Sequence, residues 1–278
     1  NQREATYNGW EAVRMEIAIS AKAGTGKMNF ITDTVYFYHN LNLTKEDKDI
    51  KEDESTKKDD KKTAQKYHGK LAVIIDDCGY DLAPVRKLVN LNAPFSYAIL
   101  PYKDFSSDAL HVIKGGGQTA MLHLPMEPMD RTAMSEGKST ILTDMTAEQV
   151  QQLTRKAVDS LPGIEGVNNH QGSKATSNEA TMKAVLKVLK QQGLFFVDSS
   201  TYSKSIGDQV ARSMGVPTAR NNIFLDNSSD EDDIIADRNG SAIAICHARP
   251  HTAAAWSKVI NEVNASGIQL VPVSSLLK

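Results

Sequence analysis

Five short, mostly apolar runs in this chain end in an aspartate, an asparagine or a histidine, and this pattern restricts the possible folds. Four or five consecutive apolar residues without polar alternation are typical of a strand that is buried on both faces. Burying a single carboxylate or histidine without a partner costs free energy. We therefore expect the carboxylates and histidines that directly follow such strands to meet in a shared site. The residues in question are Asp76-Asp77, His123, Asn168-Asn169-His170, Asp198 and His247.

Helical patterns separate these runs. Thr146 and Gln149 form a capping-box pattern at the start of one predicted helix, and Gly193 is placed to end another. Alternating strands and helices predict a parallel sheet, because parallel strands need crossover connections. We favour a closed barrel, in which the carboxyl ends of many strands surround one active site. The alternative is an open, doubly wound sheet, but no glycine-rich phosphate-binding sequence follows the first strand.

The composition argues against two classes of function. A net charge of −2 on 278 residues gives no basic surface for nucleic acid. No apolar stretch approaches the roughly 18 residues needed to cross a bilayer, so we expect no transmembrane segment in this chain. The two cysteines, Cys78 and Cys246, are too few for a disulfide framework.

Changes in composition divide the chain into three parts. In residues 1–42, Trp10, Val13, Ile17 and Ile19 suggest a helix and residues 30–41 alternate like a pair of short strands, so we predict a small α+β segment. Residues 43–69 are almost wholly polar and charged, which predicts a flexible linker. The strand and helix patterns described above fill residues 70–278, and these form the predicted barrel domain.

Residues 70–278 contain five longer motifs, which are Ile74–Tyr80, His123–Pro128, Gly166–Ser173, Phe196–Thr201 and Ser241–Pro250. Together these motifs resemble the divergent polysaccharide deacetylase family, which is similar to the wider group of NodB-like carbohydrate esterases. The resemblance implies a distorted (β/α)7 barrel that binds one divalent metal ion, zinc. It also implies hydrolytic removal of acetyl groups from a polysaccharide of the cell envelope or the extracellular space.

The resemblance further implies roles for single residues. Asp76 matches the catalytic base of the family and His247 its general acid. Asp198 matches an acidic residue that orients or tunes this catalytic pair. Asp77 and His123 match metal ligands, and water in an open position on the metal would be the source of the nucleophile.

The third metal ligand is open at this point. Better-known members of the wider group carry a second histidine four residues after the first, but here that position holds Glu127. A carboxylate there could bind the metal through oxygen. His170 is the other candidate and the one that we favour. We expect Asn169 and Arg249 to contact the acetylated glycan.

Two departures from the family pattern keep other functions in view. Residues 167–172 replace an Arg-Pro-Pro-Tyr-Gly segment, and residues 226–241 are short for a region expected to hold a full helix, so residues could be missing there. One alternative is a weak or inactive relative that binds glycan or a protein partner through the same cleft. Another is a different metal-dependent barrel hydrolase. The glycan substrates of the family imply an extracytoplasmic location, in the envelope or secreted.

Overall fold

A computed structural model describes residues 69–226 and 240–278 in full. It also describes the backbone of four further strands, which are β1 (Gln2–Tyr7), β2 (Trp10–Ala23), β3 (Gly26–Tyr38) and β11 (Asp233–Ile234). The predicted linker, apart from Gly69, lies outside the described residues, as does most of the segment 227–239 in which we expected a helix or missing residues.

The amino-terminal strands correct the prediction of a helix in this region. β1, β2 and β3 form an antiparallel sheet in sequence order, and β11 pairs in parallel with β3. The helix predicted around Trp10–Ile19 is wrong, because this segment belongs to the single strand β2. The apolar residues Val13, Met15, Ile17 and Ile19 recur at every second position, which is the period of a strand. Residues 30–38 likewise belong to one strand and not to a pair.

The remaining described residues alternate between strands and helices, as predicted. Thr146 and Gln149 form the expected capping box, and Gly193 ends its helix with a φ of 68°. The strands are β4 (Gly69–Cys78), β5 (Ser96–Ile99), β6 (Thr119–Met126), β7 (Gly166–Gln171), β8 (Phe195–Asp198), β9 (Thr218–Arg220), β10 (Ile223–Phe224), β12 (Ser241–His247) and β13 (Ile268–Val271). The helices are α1 (Leu82–Val89), α2 (Ser106–Gly115), α3 (Ala147–Asp159), α4 (Glu179–Gln192), α5 (Gly207–Ser213) and α6 (Thr252–Ala265). None of these helices has the length and apolar character that a membrane span requires.

The parallel sheet curls into a distorted barrel. Its strand order is β10-β12-β4-β5-β6-β7-β8-β9, and β13 pairs with the first half of β4. β9 and β10 are successive parts of one passage of chain, and they pair with the two opposite edges, β8 and β12. The segment β9–β10 therefore connects the two edges of the sheet and counts as one strand of the barrel. Together with β12 and the five strands β4 to β8, it makes seven strands around the barrel. The predicted (β/α)7 architecture is confirmed.

Apolar side chains separate into a layer under the helices and a smaller barrel interior. On β4, Leu71, Val73 and Ile75 pack outward among the helices, whereas Ala72 and Ile74 point inward. The same alternation on the other strands fills the interior with apolar side chains, among them Met121 and Phe195. The carboxyl-terminal segment closes the lower end of this interior with Val273, Leu276 and Leu277.

Candidate active site

Strand alternation brings a group of polar residues to the inner face of the barrel, at the carboxyl ends of the strands. Asp76 continues the inner series of β4 and is the register partner of His247 on β12. His123 on β6 is the register partner of Asn168 on β7. Because successive residues of a strand face opposite sides, His170 shares the face of Asn168. The residues that meet in this way are Asp76, His123, Asn168, His170 and His247.

A bulge adds Asp77 to this group. The register between β4 and β5 shifts between Ile75 and Cys78, and Asp77 has a φ of 60°. In a regular strand, two adjacent side chains would point to opposite faces. Here Asp76 Oδ2 and Asp77 Oδ1 lie 3.5 and 3.4 Å from the same atom, His123 Nε2. The positive φ is unfavourable for a residue with a side chain, and such strain is concentrated at functional sites.

Asp77, His123 and His170 present three possible ligand atoms to one point. Asp77 Oδ1 lies 3.4 Å from His123 Nε2 and 3.2 Å from His170 Nδ1, and the two nitrogens are 3.1 Å apart. Ligands that surround zinc tetrahedrally at about 2.0–2.1 Å are separated by roughly 3.3 Å. Asp77 Oδ1 is also buried without a hydrogen-bond donor. The three side chains therefore fit a divalent cation.

Hydrogen-bond partners of both histidines are compatible with the tautomers that a cation needs. Asn168 donates its Nδ2–H to Asp76 Oδ1 at 2.8 Å, so its carbonyl oxygen faces His123 Nδ1 at 2.7 Å and accepts a proton from it. This leaves the lone pair of His123 on Nε2. His170 Nε2 lies 3.0 Å from Ser135 Oγ, which can accept the Nε2 proton when Nδ1 binds a cation. Such support of metal-ligating histidines is common in metalloproteins.

The charges of the site affect its two carboxylates in opposite directions. Burial by itself lowers the pKa of His123, but Asp76 and Asp77 outweigh it and raise that pKa to about 9. Burial also opposes the ionisation of Asp77, yet His123 and His170 hold its pKa well below the usual range. For Asp76 burial prevails, and its pKa is raised despite His123 and His247. One carboxylate is thus suited to bind a cation and the other to accept a proton.

A second histidine arrangement lies on the β12 side of the mouth. His247 Nδ1 is 2.8 Å from Asp226 Oδ1, and the backbone N–H of His247 donates to Asp226 Oδ2 at 2.9 Å. The ring stacks on Phe224, with centroids 6.4 Å apart and an angle of 12°. Although burial lowers the pKa of His247, the Asp226 carboxylate raises it above the ordinary value. With Nδ1–H committed to Asp226, His247 Nε2 is the atom free for proton transfer.

The structure does not bring Glu127 into the ligand cluster. Its Oε1 accepts hydrogen bonds from Arg131 Nε at 2.5 Å and Lys174 Nζ at 2.9 Å, and its Oε2 accepts two from Thr143, both at 2.7 Å. Burial would raise its pKa, but these donors lower it to about 2. Both carboxylate oxygens of Glu127 therefore accept hydrogen bonds that connect loops. The structure does not support Glu127 as the third metal ligand. The atoms that converge are those of Asp77, His123 and His170.

Asp198 and Asn169 lie on the outer face of their strands and organise loops. Asp198 is fully buried and accepts hydrogen bonds from Ser200 N, Ser205 Oγ and Asp208 N. Asn169 accepts from Ser199 N and donates to Gln171 O. The expected contact of Asn169 with glycan is not supported, because its amide is buried and both polar atoms are used. Asp198 likewise has the contacts of a structural residue, since its neighbour Val197 takes the inner position on β8.

Arg249 lies two residues after His247 and contacts Asp226, and its predicted contact with glycan stays a prediction. Its side chain is 53% exposed, and its Nη1 donates to Asp226 O at 3.0 Å. Asp226 itself was missed in the sequence, although it follows the apolar run 223–225 and obeys the same pattern as the other site residues. A run of three residues is shorter than the strands that the pattern was used to find. The bridging role of Asn168 was missed because it depends on pairing between β6 and β7.

Comparison with known proteins agrees with these observations. The profile described as "Divergent polysaccharide deacetylase" matches residues 73–277. The uncharacterised protein YibQ of Escherichia coli is 33% identical over 218 residues, which cover 75% of this chain and 67% of that protein. An uncharacterised protein of Haemophilus influenzae is 32% identical over 216 residues, which cover 74% of this chain and 76% of its own length.

A solved structure shows the same fold. The crystal structure of an uncharacterised protein from Agrobacterium tumefaciens C58 superposes with a TM-score of 0.69 at 20% identity, covering 78% of this chain and 92% of that one. The profile match alone spans more than half of the chain. The chain therefore belongs to the divergent polysaccharide deacetylase family.

Proposed function

We propose that this protein is a metal-dependent hydrolase that removes acetyl groups from a polysaccharide of the cell envelope or the extracellular space. The observation that carries the proposal is the convergence of Asp77 Oδ1, His123 Nε2 and His170 Nδ1, which lie 3.1–3.4 Å from one another beside Asp76. A divalent cation, zinc in our proposal, would be held by these three atoms. When bound, such an ion acidifies water and polarises a carbonyl group.

Asp76 is the proposed base. Its Oδ1 accepts a hydrogen bond from Asn168, which fixes the carboxylate while Oδ2 faces the ligand cluster. As water attacks the acetyl carbonyl carbon, Asp76 accepts the proton that the water loses. The side chain is 2% exposed, so bulk water does not compete for this position.

His247 is the proposed acid. Its Nε2 donates a proton to the nitrogen or oxygen of the sugar as the bond to the acetyl carbon breaks, and acetate and the free amine or hydroxyl leave. Asp226 holds the ring through Nδ1 and through the backbone N–H. It also stabilises the protonated imidazole, which must be present before the transfer.

An inactive binding protein is the principal alternative, and the site argues against it. A cleft that only binds glycan needs neither a buried carboxylate with a raised pKa beside the ligand cluster nor a histidine held by two contacts to one aspartate. Both features would serve proton transfer, and they therefore support the proposed hydrolase. They are also compatible with other metal-dependent barrel hydrolases, so the substrate has to be tested directly.

Release of acetate from acetylated polysaccharides tests the proposal. The zinc-loaded chain is incubated with N-acetylated and O-acetylated glycans, including peptidoglycan, and acetate is measured beside the His247→Ala variant. We expect acetate release from at least one glycan by the unchanged protein and a loss of about 10²-fold or more in the variant. Metal binding without any acetate release would favour the inactive relative, and phosphate or amine release from other substrates would favour another hydrolase.

A further inference from the structure

Tyr80 stands out at the mouth of the barrel because it is aromatic, exposed and held in place. The large hydrophobic side chains that remain exposed in the described part of the chain are Tyr80, Tyr102, Phe105 and Met129. Tyr80 is 48% exposed and follows the bulge of β4 by three residues, after Gly79 with a φ of 118°. Single exposed apolar residues are ordinary on protein surfaces, so exposure alone assigns no role to this ring.

The ring is fixed by a closed set of contacts. The Tyr80 hydroxyl donates to Glu136 Oε1 at 2.5 Å, and Lys103 Nζ lies 2.6 Å from Glu136 Oε2. The same Lys103 Nζ sits 4.5 Å from the centroid of the Tyr80 ring. The Glu136 side chain is only 3% exposed, so the anchor of the hydroxyl is buried. Ordering an exposed ring costs conformational entropy, and here that ordering is complete before any ligand arrives.

These contacts tie the ring to the candidate active site. Ser135, next to Glu136, lies 3.0 Å from His170 Nε2, and Gln171 Nε2 donates to Ala133 O at 2.7 Å. The loop between β6 and α3 therefore connects Tyr80 at the end of β4 with His170 at the end of β7. Asp77 is close enough to contribute to the raised pKa of Tyr80, after burial and Glu136.

Lys103 Nζ lies over one face of the Tyr80 ring, and the residue as a whole is 48% exposed, so a ligand that stacks on the ring would use the opposite face. An aromatic face carries partial negative charge and attracts groups with a positive edge. The axial C–H bonds of a pyranose ring form such an apolar, weakly positive surface. Lys103 on the opposite face is paired with Glu136, so it adds no free charge that would repel or attract an ionic substrate.

We propose that Tyr80 is the stacking platform for the sugar ring that carries, or adjoins, the acetyl group. The inference rests on the proposed function and adds a substrate-binding residue to it. The substrate class is a pyranose whose apolar face lies on Tyr80 while its acetyl group reaches the cluster of Asp77, His123 and His170. Glu136 and Lys103 are positioning residues that keep the ring in its orientation.

Oligosaccharide binding by matched variants tests the platform. The zinc-loaded full chain, Tyr80→Ala, Tyr80→Phe and Tyr102→Ala are titrated calorimetrically with tetrasaccharides that carry N-acetyl or O-acetyl groups. Tyr102 is the control because it is exposed to the same degree, 52%, but lies beside Ser160 and Asp159 at the end of α3. Loss of one aromatic stack predicts about tenfold weaker binding by Tyr80→Ala. Tyr80→Phe keeps the ring and should bind within about threefold of the unchanged protein, and Tyr102→Ala should bind equally well.

Metal content, thermal unfolding and hydrolysis of 4-nitrophenyl acetate are measured on the same samples. This small ester has no pyranose ring, so its hydrolysis reports on the candidate metal site, and Tyr102→Ala should hydrolyse it as the unchanged protein does. Equal binding by Tyr80→Ala and the unchanged protein would overturn the platform, as would equal weakening by Tyr102→Ala. If the unchanged protein binds none of the tetrasaccharides, the platform is overturned, and metal content with ester hydrolysis then shows whether the hydrolase itself stands.

Discussion

The two ends of the barrel are built from the same strands but differ in chemistry. At the lower end, the carboxyl-terminal segment packs Val273, Leu276 and Leu277 into the interior, and the backbones of Thr218 and Lys278 exchange two hydrogen bonds. At the upper end, the interior positions hold buried polar residues such as Asp76 and His123. The lower end is held by apolar packing and by hydrogen bonds of the backbone.

Backbone conformation differs in the same way. Among the described residues, five residues other than glycine have positive φ values. Asp77, Tyr102, Gln171 and Ser200 lie at or just beyond the upper ends of strands, and Asn92 lies in the turn that precedes β5. Such conformations cost of order 1–3 kcal/mol each and persist where the surrounding structure compels them. The comparison indicates that packing at the lower end stabilises the fold. This stabilisation offsets the cost of the strained backbone that places the site residues at the upper end. Substitutions at the two ends should therefore have separable effects.

The largest effect is expected from Asp76→Asn. The amide keeps the shape of the side chain but cannot accept the proton from water, so acetate release should fall by about 10²–10⁴-fold. Metal content should be retained, because Asp76 is not one of the three converging ligands. Kinetics with the best glycan substrate, together with metal analysis, measure both quantities. Loss of metal in this variant would mean that Asp76 is a ligand and that the roles assigned to the two aspartates are wrong.

Asp226→Asn is expected to have an intermediate effect with a distinctive pH dependence. The Asp226 carboxylate raises the pKa of His247 against the effect of burial, and His247 must be protonated to act as the acid. Removing the negative charge lowers the pKa of His247. The alkaline limb of the pH profile, where activity falls, should therefore move to lower pH. We also expect roughly a tenfold lower rate at neutral pH.

The pH profile of kcat measures this shift, and Arg249→Lys serves as a control that keeps the charge beside Asp226. A profile whose alkaline limb stays in place, or moves to higher pH, would show that His247 is not the acid.

The smallest effect on activity is expected from a change at the lower end. Val273 is fully buried, and Val273→Ala removes two methyl groups from the interior. The free energy of unfolding should fall by roughly 2 kcal/mol, while metal content and acetate release at 25 °C stay unchanged. Chemical denaturation and kinetics on one preparation check this. A large loss of activity without a matching loss of stability would contradict the separation between the two ends.

Much of the fold follows from local sequence patterns. Strand-length apolar runs and the helix signals at Thr146 and Gly193 predict the order of elements, because they depend on residues a few positions apart. The predicted helix around Trp10–Ile19 failed because its apolar residues fit both a helical and a strand spacing in part, and β2 shows that the period of two prevails.

The site was predicted less completely, for reasons of geometry. Position at a strand end identified Asp76, Asp77, His123, His170 and His247, but it does not tell which side of the sheet a residue faces. Asp198 and Asn169 follow apolar runs as well, yet they lie on the outer face and hold loops. The neighbouring valines could have indicated this, because the faces of a strand alternate. Val167 packs on the outer face, which Asn169 shares two residues later, and Val197 packs inward, so the adjacent Asp198 points outward. The pairing of His247 with Asp226 and of Tyr80 with Glu136 depends on contacts between distant loops.

The most direct test of the central claim is the metal content of the purified chain, measured by mass spectrometry for the unchanged protein, His170→Ala and Glu127→Gln. Glu127→Gln is the matched control, because it alters the residue at the position where a second histidine was expected. We predict about one zinc or similar ion per chain in the unchanged protein and in Glu127→Gln, and loss of the ion in His170→Ala. An unchanged protein that binds no ion after incubation with zinc, cobalt or nickel would contradict the account, as would retention of the ion by His170→Ala.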